Sequence, residues 1–102
     1  MSSSPSLHLS AGAAASGASH DHHQAVVQNL VHMANHIGEF FAPYPERKEA
    51  VDGVATHLRR YWEPRMRRQL YAHLDAHAAD SGLSDLVLEA ARVHRAVLEP
   101  AR

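Results

Sequence analysis

The sequence predicts an all-α protein, a small antiparallel bundle of three to four short helices behind a disordered N-terminal tail. Apolar residues recur at three- and four-residue steps in four segments, and no segment alternates with the period of two that marks a half-buried strand. Short connections that contain prolines or glycines separate these segments. Short connections favour antiparallel packing of neighbouring helices. At 102 residues the chain is one domain with a small core, and such domains often rely on a partner for stability.

The tail is predicted over residues 1–19. It consists mainly of serine, alanine and glycine, with too few large apolar side chains to offset the entropy lost on ordering. It contains no lysine or arginine, unlike the arginine-rich transit peptides of organelles. We therefore place a single helical domain at residues 20–102.

The first helix is predicted over residues 22–41. Ser19 or Asp21 could cap its start, and Pro43 and Pro45 end it because a proline disfavours helical geometry in the residue before it. At about 100° per residue, five apolar side chains fall on one face. They are Val27, Leu30, Ala34, Ile37 and Phe41.

The second and third helices meet at Pro64, which forces a break or a kink. The second helix, over residues 45–61, begins with a proline and a glutamate, both favoured in a first turn. The third helix covers residues 64–78. The predicted core positions are Val51, Val54, Ala55, Leu58 and Trp62 in the second helix and Met66, Leu70 and Leu74 in the third.

A fourth helix follows Gly82, with Ser84 as its cap and Leu83 packed against it as a hydrophobic staple. We place His94 within its apolar face, where a neutral imidazole with one backbone partner is the common case. The other positions predicted on that face are Leu86, Val87, Ala90, Val93 and Val97.

The charge balance narrows the classes of function. Ten Lys+Arg and eleven Asp+Glu give a formal charge of −1, and the chain contains ten histidines and no cysteine. This balance argues against a non-specific nucleic-acid binder, and the lack of cysteine excludes disulfides, a thiol nucleophile and cysteine-ligated metal in this chain. No segment resembles a membrane span or a secretory signal, so we expect a cytoplasmic protein.

A histidine-based metal site is the first candidate for chemistry. His32 and His36 lie one turn apart with Glu39 on the same helix face, an arrangement that could hold a divalent ion. This face points away from the apolar stripe, and a closed site needs ligands from more than one element. We predict no metal site and keep these three residues as weak candidates. His73 and His77 are expected to be hydrogen-bonded histidines at the border of the core.

An arginine cluster is the second candidate. Residues 59–68 contain five arginines and a single acid, Glu63, and the arginines in the third helix lie at an N-terminus whose dipole disfavours each by about 0.3–1 kcal/mol. Pairing with Glu46, Glu49 or Asp52, plain solvation, or docking onto an acidic protein surface could each offset this cost. The predicted partner-binding residues are Arg59, Arg60, Tyr61, Trp62, Arg65, Arg67 and Arg68, although Trp62 also belongs to the apolar face.

Gly53 lies on the polar side of the second helix, where glycine costs about 1 kcal/mol relative to alanine. Packing within the chain offers no evident reason for it, so either a partner backbone approaches closely or the glycine is a tolerated weak point. For catalysis the chain has no Gly-x-Ser-x-Gly elbow, no phosphate-cradling glycine loop and no suitably spaced pair of carboxylates. We predict that it is not an enzyme.

Five short elements of the sequence are more specific than a generic amphipathic pattern. They are Met33-Ala34-Asn35, Ile37-Gly38 with the two phenylalanines, Val54-Ala55-Thr56-His57, Trp62-Glu63-Pro64-Arg65-Met66-Arg67 and Gly82-Leu83-Ser84. Through these elements, residues 29–92 resemble the delta subunit family of cytoplasmic, molybdenum-containing, NAD-dependent formate dehydrogenases. His32 and His36 stand where the family pattern usually has arginine or glutamine, which argues against metal binding as a shared function.

The resemblance implies an accessory subunit that assembles or stabilises the enzyme oxidising formate to carbon dioxide. It implies that the partners are the large subunits, which carry molybdopterin guanine dinucleotide, iron–sulfur clusters, FMN and the NAD site, and that this chain holds no cofactor. Two alternatives remain open: a histidine-based metal-binding or metal-delivery protein and, with less support, a small nucleic-acid binder.

Overall fold

The computed structural model describes the backbone of residues 11–101 and the side chains of residues 22–101. This part of the chain is all-helical, which confirms the predicted fold class, and none of its helices is long and apolar enough to cross a membrane. The helices are α1 (Ala11–Phe41), α2 (Arg47–Tyr61), α3 (Pro64–Ala76), α4 (Asp85–Val93) and α5 (Arg95–Leu98).

The first helix is longer than predicted. It begins at Ala11 rather than near residue 22, and the run that it adds is rich in alanine, the residue with the highest helix propensity. The tail was predicted over residues 1–19; its first ten residues lie outside the described part, and from residue 11 onward the backbone is helical. The predicted C-terminal ends of α1 and α2 match the structure. α2 begins at Arg47 rather than at residue 45, and α3 ends at Ala76 rather than at residue 78.

The core lies where α2 packs against α1 and α4, with α3 closing one side against α1. All five positions predicted in α2 and its C-cap are buried, as are Leu70 and Leu74 in α3. In α1 the stripe is buried at Val27, Leu30 and Ala34, whereas Ile37 and Phe41 are half-buried at its edge. The apolar faces read from the sequence therefore meet in one contiguous core.

The fourth predicted helix is broken in two. The backbone leaves helical geometry at His94 (φ −104°, ψ 21°), and Leu98, 1% exposed, enters the core from α5. The prediction that Val93 and Val97 are buried was wrong, since they are 62% and 47% exposed. Ala90 is buried as predicted, and Ala91, which the predicted face did not include, is buried as well. Ser84 caps α4 as predicted, its hydroxyl accepting the Val87 N–H at 3.4 Å.

Gly53 has a packing function inside the chain, contrary to our expectation. A Cβ at this position would lie 2.5 Å from two ring carbons of Phe41, so the missing side chain makes room for α1 to end against α2. Gly38 has the same function on α1, where a Cβ would lie 2.7 Å from Cγ2 of Val87. Both glycines thus allow two helices to approach closely.

Asn35 joins α1 to the loop between α3 and α4. Its side-chain nitrogen donates to the Gly82 carbonyl, and its side-chain oxygen accepts the Ser84 N–H, each at 2.8 Å. Gly82 has φ +87°, a left-handed conformation that glycine adopts without steric cost. Two elements of the family resemblance, 47 residues or more apart in sequence, therefore meet in space.

Candidate functional site

The candidate site is the junction between α2 and α3. α2 ends at Tyr61 with Arg59 and Arg60 in its last turn, where positive side chains suit the helix dipole. α3 starts at Pro64, in the first helical position that favours proline. The arginines of α3 follow within its first turns, so both helix ends contribute positive charge to one corner of the molecule.

Four of the five arginines at this junction are exposed and unpaired. In the described residues, none of these four arginines makes a side-chain hydrogen bond or an ion pair. Of the acids expected to pair with them, Asp52 binds Lys48 and His94 instead, each at 2.8 Å. In the described residues, Glu46 and Glu49 form no ion pair with these arginines. Together with the exposed tyrosine between them, the four arginines form what we call the arginine surface: Arg59, Arg60, Tyr61, Arg65 and Arg68.

Tyr61 gives the arginine surface an aromatic centre. Its side chain is 67% exposed, and its ring lies 4.8 Å from that of His57, centroid to centroid. Tyrosine and arginine are among the residues that most often dominate the binding energy of protein interfaces. An exposed tyrosine flanked by unpaired arginines is therefore suited to contact another protein.

Arg67 and Trp62 belong to the interior rather than to this surface. Trp62 is 5% exposed and lies in the core. Arg67 is half-buried; its Nε donates to the Trp62 carbonyl at 3.2 Å and its Nη1 to the Leu98 carbonyl at 2.9 Å. The guanidinium therefore ties the end of α2 to the end of α5. The sequence places Arg67 among its arginine neighbours but does not indicate this different contact.

A second arginine, Arg95, fixes α5 against α3, and the sequence analysis missed it. Its guanidinium donates to both oxygens of Asp75, at 2.9 and 2.7 Å, and to both oxygens of Glu99, at 2.6 and 3.2 Å. It also lies 4.8 Å from the ring centre of Tyr71. The hydrogen bond from Arg95 lowers the pKa of Asp75. Burial raises the pKa of Tyr71 to about 12, so its hydroxyl stays protonated and donates to the Ala91 carbonyl at 2.7 Å.

His94 pairs with a carboxylate rather than with the backbone partner we expected. Its Nε2 lies 2.8 Å from Oδ1 of Asp52, joining the break between α4 and α5 to α2. Hydrogen bonds from Lys48 and then from His94 lower the pKa of Asp52. His73 is held as a border histidine, with Nε2 2.8 Å from the Ser81 carbonyl.

The weak metal candidates lie on the outer face of α1. The side chains of His36 and Glu39 are 83% and 77% exposed, with 3.8 Å between the nearest nitrogen and oxygen, and His32 is also exposed. Among residues whose side chains are described, no three histidine, aspartate or glutamate groups converge in a way that could hold a metal ion. The structure thus adds no ligand from a second element to this face.

Comparison with known proteins gives a family. Residues 29–91 match the model of a family described as the NADH-dependent formate dehydrogenase delta subunit, FdsD. The matched range contains the C-terminal part of α1 from residue 29, all of α2 and α3, and most of α4. A search of curated proteins and a search of solved structures each found no match.

Proposed function

The chain belongs to the FdsD family of NADH-dependent formate dehydrogenase delta subunits, and from this premise we propose that it is a non-catalytic accessory subunit that assembles or stabilises that enzyme. The family match over residues 29–91 carries the proposal. Formate oxidation and the reduction of NAD then belong to the large subunits.

The use of polar side chains in the described part supports an accessory function. The half-buried polar groups Arg67, His73 and His94 contact backbone carbonyls or a carboxylate of the chain itself. Tyr71 and Arg95 likewise hold α3, α4 and α5 together. These groups are engaged in fixing helices, as expected of a scaffold that presents a surface.

We propose that the arginine surface docks onto an acidic surface of a formate dehydrogenase large subunit. The dipole of α3 disfavours Arg65 in its first turn, by about 0.3–1 kcal/mol. No acid in the described residues pairs with Arg65 or Arg68. Carboxylates of a partner would remove this cost and would steer association. Docking through this surface also explains why the positive charge is concentrated in a chain with a formal charge of −1.

Co-purification of the tagged chain with co-expressed large subunits tests the proposal. The double variants Arg59→Glu/Arg60→Glu and Arg65→Glu/Arg68→Glu should each lose the large subunits, because like charges would then face each other. Arg67 stays unchanged in both variants, since it supports the fold. Arg92→Glu, which reverses an exposed arginine in α4, is the matched control and should co-purify as the wild type does.

Two results would contradict the proposal at different levels. Full co-purification of both double variants at moderate salt would exclude the arginine surface as the docking site. If the wild-type chain never associates with the large subunits, and its deletion leaves formate oxidation in cells unchanged, the accessory function itself is wrong.

A further inference from the structure

The helix α5 is a single turn with one buried apolar side chain. It has four residues, Arg95–Leu98, and so short a helix is not stable by itself, because its few hydrogen bonds do not offset the cost of nucleation. Within this turn Leu98 is buried, whereas Ala96 and Val97 are exposed. We call α5 and the two residues that flank it, residues 94–99, the strap.

Polar contacts tie the strap to α2 and α3. Among them are the pair of Arg95 with Asp75, the pair of His94 with Asp52, and the hydrogen bond from Arg67 to the Leu98 carbonyl. The side chains of the first pair are 38% and 55% exposed, and those of the second pair 29% and 40%. Ion pairs this exposed to water contribute little each. The strap is therefore held by one buried anchor and by ion pairs whose partners water can replace.

Arg67 connects the strap to the end of α2. Its Nε donates to the Trp62 carbonyl at 3.2 Å and its Nη1 to the Leu98 carbonyl at 2.9 Å. Both nitrogens belong to one rigid, planar guanidinium, so the two carbonyls lie close together and the strap borders the residue that ends α2. Trp62 is buried, and movement of the strap away from it would let water reach this end of the helix.

We propose that the strap opens as one unit while α1, α2 and α4 stay packed, and that the junction of α2 and α3 loosens with it. His94, where the backbone has already left helical geometry, is the hinge. Segments with few buried apolar contacts open at free energies below that of global unfolding. Closure of the strap then holds the two helix ends that carry the arginine surface.

This inference goes beyond the proposed function and does not depend on it. The strap follows residues 29–91, the range that matches the family model, so the family match does not account for it. Its opening is a property of the chain alone and can be measured without a partner.

Native-state hydrogen exchange of the full chain, followed by NMR at urea concentrations below the unfolding transition, tests the inference. The amides of Val97, Leu98 and Glu99 report on the strap, the Trp62 amide reports on the junction, and amides in the middle of α2 report on global unfolding. We expect the strap and Trp62 amides to exchange at one shared free energy, lower than that of the α2 amides. Their exchange should depend little on urea, because opening exposes little surface.

Two outcomes of this experiment would overturn the inference. If the strap amides show the free energy and the urea dependence of the amides in the middle of α2, the strap unfolds only with the whole domain. If the strap amides open separately but the Trp62 amide follows the middle of α2, the strap is not coupled to the junction.

Two matched substitutions separate strap opening from global unfolding. Arg95→Ala removes contacts that both events break, so it should accelerate exchange about threefold to tenfold at the strap amides and in the middle of α2 alike. Val87→Ala removes a buried side chain that packs beside Gly38 at the contact of α1 and α4, and this contact persists when only the strap opens. Val87→Ala should accelerate exchange in the middle of α2 about tenfold or more and leave the strap amides unchanged. Equal acceleration of the strap amides by Val87→Ala would contradict separate opening.

Discussion

Replacing Gly53 with alanine should destabilise the fold, although this change stabilises an ordinary exposed helix position. The added Cβ would lie 2.5 Å from two carbons of the Phe41 ring and 3.1 Å from a third. Since carbon atoms rest about 3.5–4.0 Å apart, the ring has to move away. Phe41 is held by an edge-to-face contact with Phe40 at 5.0 Å and a tilted contact with Tyr44 at 5.2 Å, so its movement loosens this aromatic cluster.

Two effects of opposite sign determine how much Gly53→Ala changes the free energy of unfolding. Alanine gains about 1 kcal/mol over glycine in helix propensity, and overpacking costs about 1–3 kcal/mol. Phe41 is half-buried and can yield partly toward solvent, which places the cost near the middle of that range. We expect the free energy of unfolding to fall by about 1 kcal/mol, or the melting temperature by about 4–8 °C for a domain of this size.

Urea unfolding followed by far-ultraviolet circular dichroism measures the effect, and a double-mutant cycle assigns its cause. In a Phe41→Ala background the clash is absent, so Gly53→Ala should become stabilising by about 1 kcal/mol. Thr56→Ala, at an exposed position of the same helix, is the control and should stabilise slightly. If Gly53→Ala stabilises the chain with Phe41 present, or has the same effect in both backgrounds, the packing argument is refuted.

Three further predictions concern Arg67, Asp52 and the pair of His32 and His36. Arg67→Ala should lower the free energy of unfolding by about 1–3 kcal/mol because two backbone carbonyls lose their charged donor, whereas Arg68→Ala, at an exposed and unpaired position, should leave it nearly unchanged in the same urea experiment. The pKa of Asp52 is lowered in the folded chain, so its contribution to stability is present above its unfolded value of about 3.9 and is lost as the pH falls through its folded value. The stability difference between wild type and Asp52→Asn should therefore shrink on titration from about pH 5 to pH 3; a constant difference would contradict the assignment. His32 and His36 should bind zinc or nickel only weakly, since one exposed helix face offers too few ligands; submicromolar binding in calorimetry that is lost in the double alanine variant would support metal delivery instead.

The sequence predicts most of the fold because its apolar faces and helix breakers are local signals. Pro64 separates α2 from α3, and the regular spacing from Val51 to Trp62 identifies a face that is buried throughout. The pattern failed where alanine replaces valine in the core, because hydrophobicity favours Val93 over Ala91 while close packing favours the smaller residue. Whether alanine or valine is buried at such a position depends on the distance between the two helices.

The position of the candidate site was predictable from the sequence, but only some of its residues were. Five clustered arginines identify the junction, but the partners that distinguish Arg67 from Arg65 are backbone carbonyls, one of which lies 31 residues away in sequence. The packing reason for a glycine at position 53 was not predictable either, because Phe41 reaches it from another helix.

The burial of Trp62 gives the chain an optical reporter that separates unfolding from docking. It is the single tryptophan of the sequence, and its indole is 5% exposed beside the junction of α2 and α3. Indole emission moves to longer wavelengths when water reaches the ring, so selective excitation of this residue follows the separation of the two helices. The neighbouring Tyr61 is 67% exposed and would be covered by a partner while the indole stays in the same surroundings. Occupation of the arginine surface should therefore leave the emission maximum of Trp62 in place, and a shift of that maximum reports loss of the folded junction.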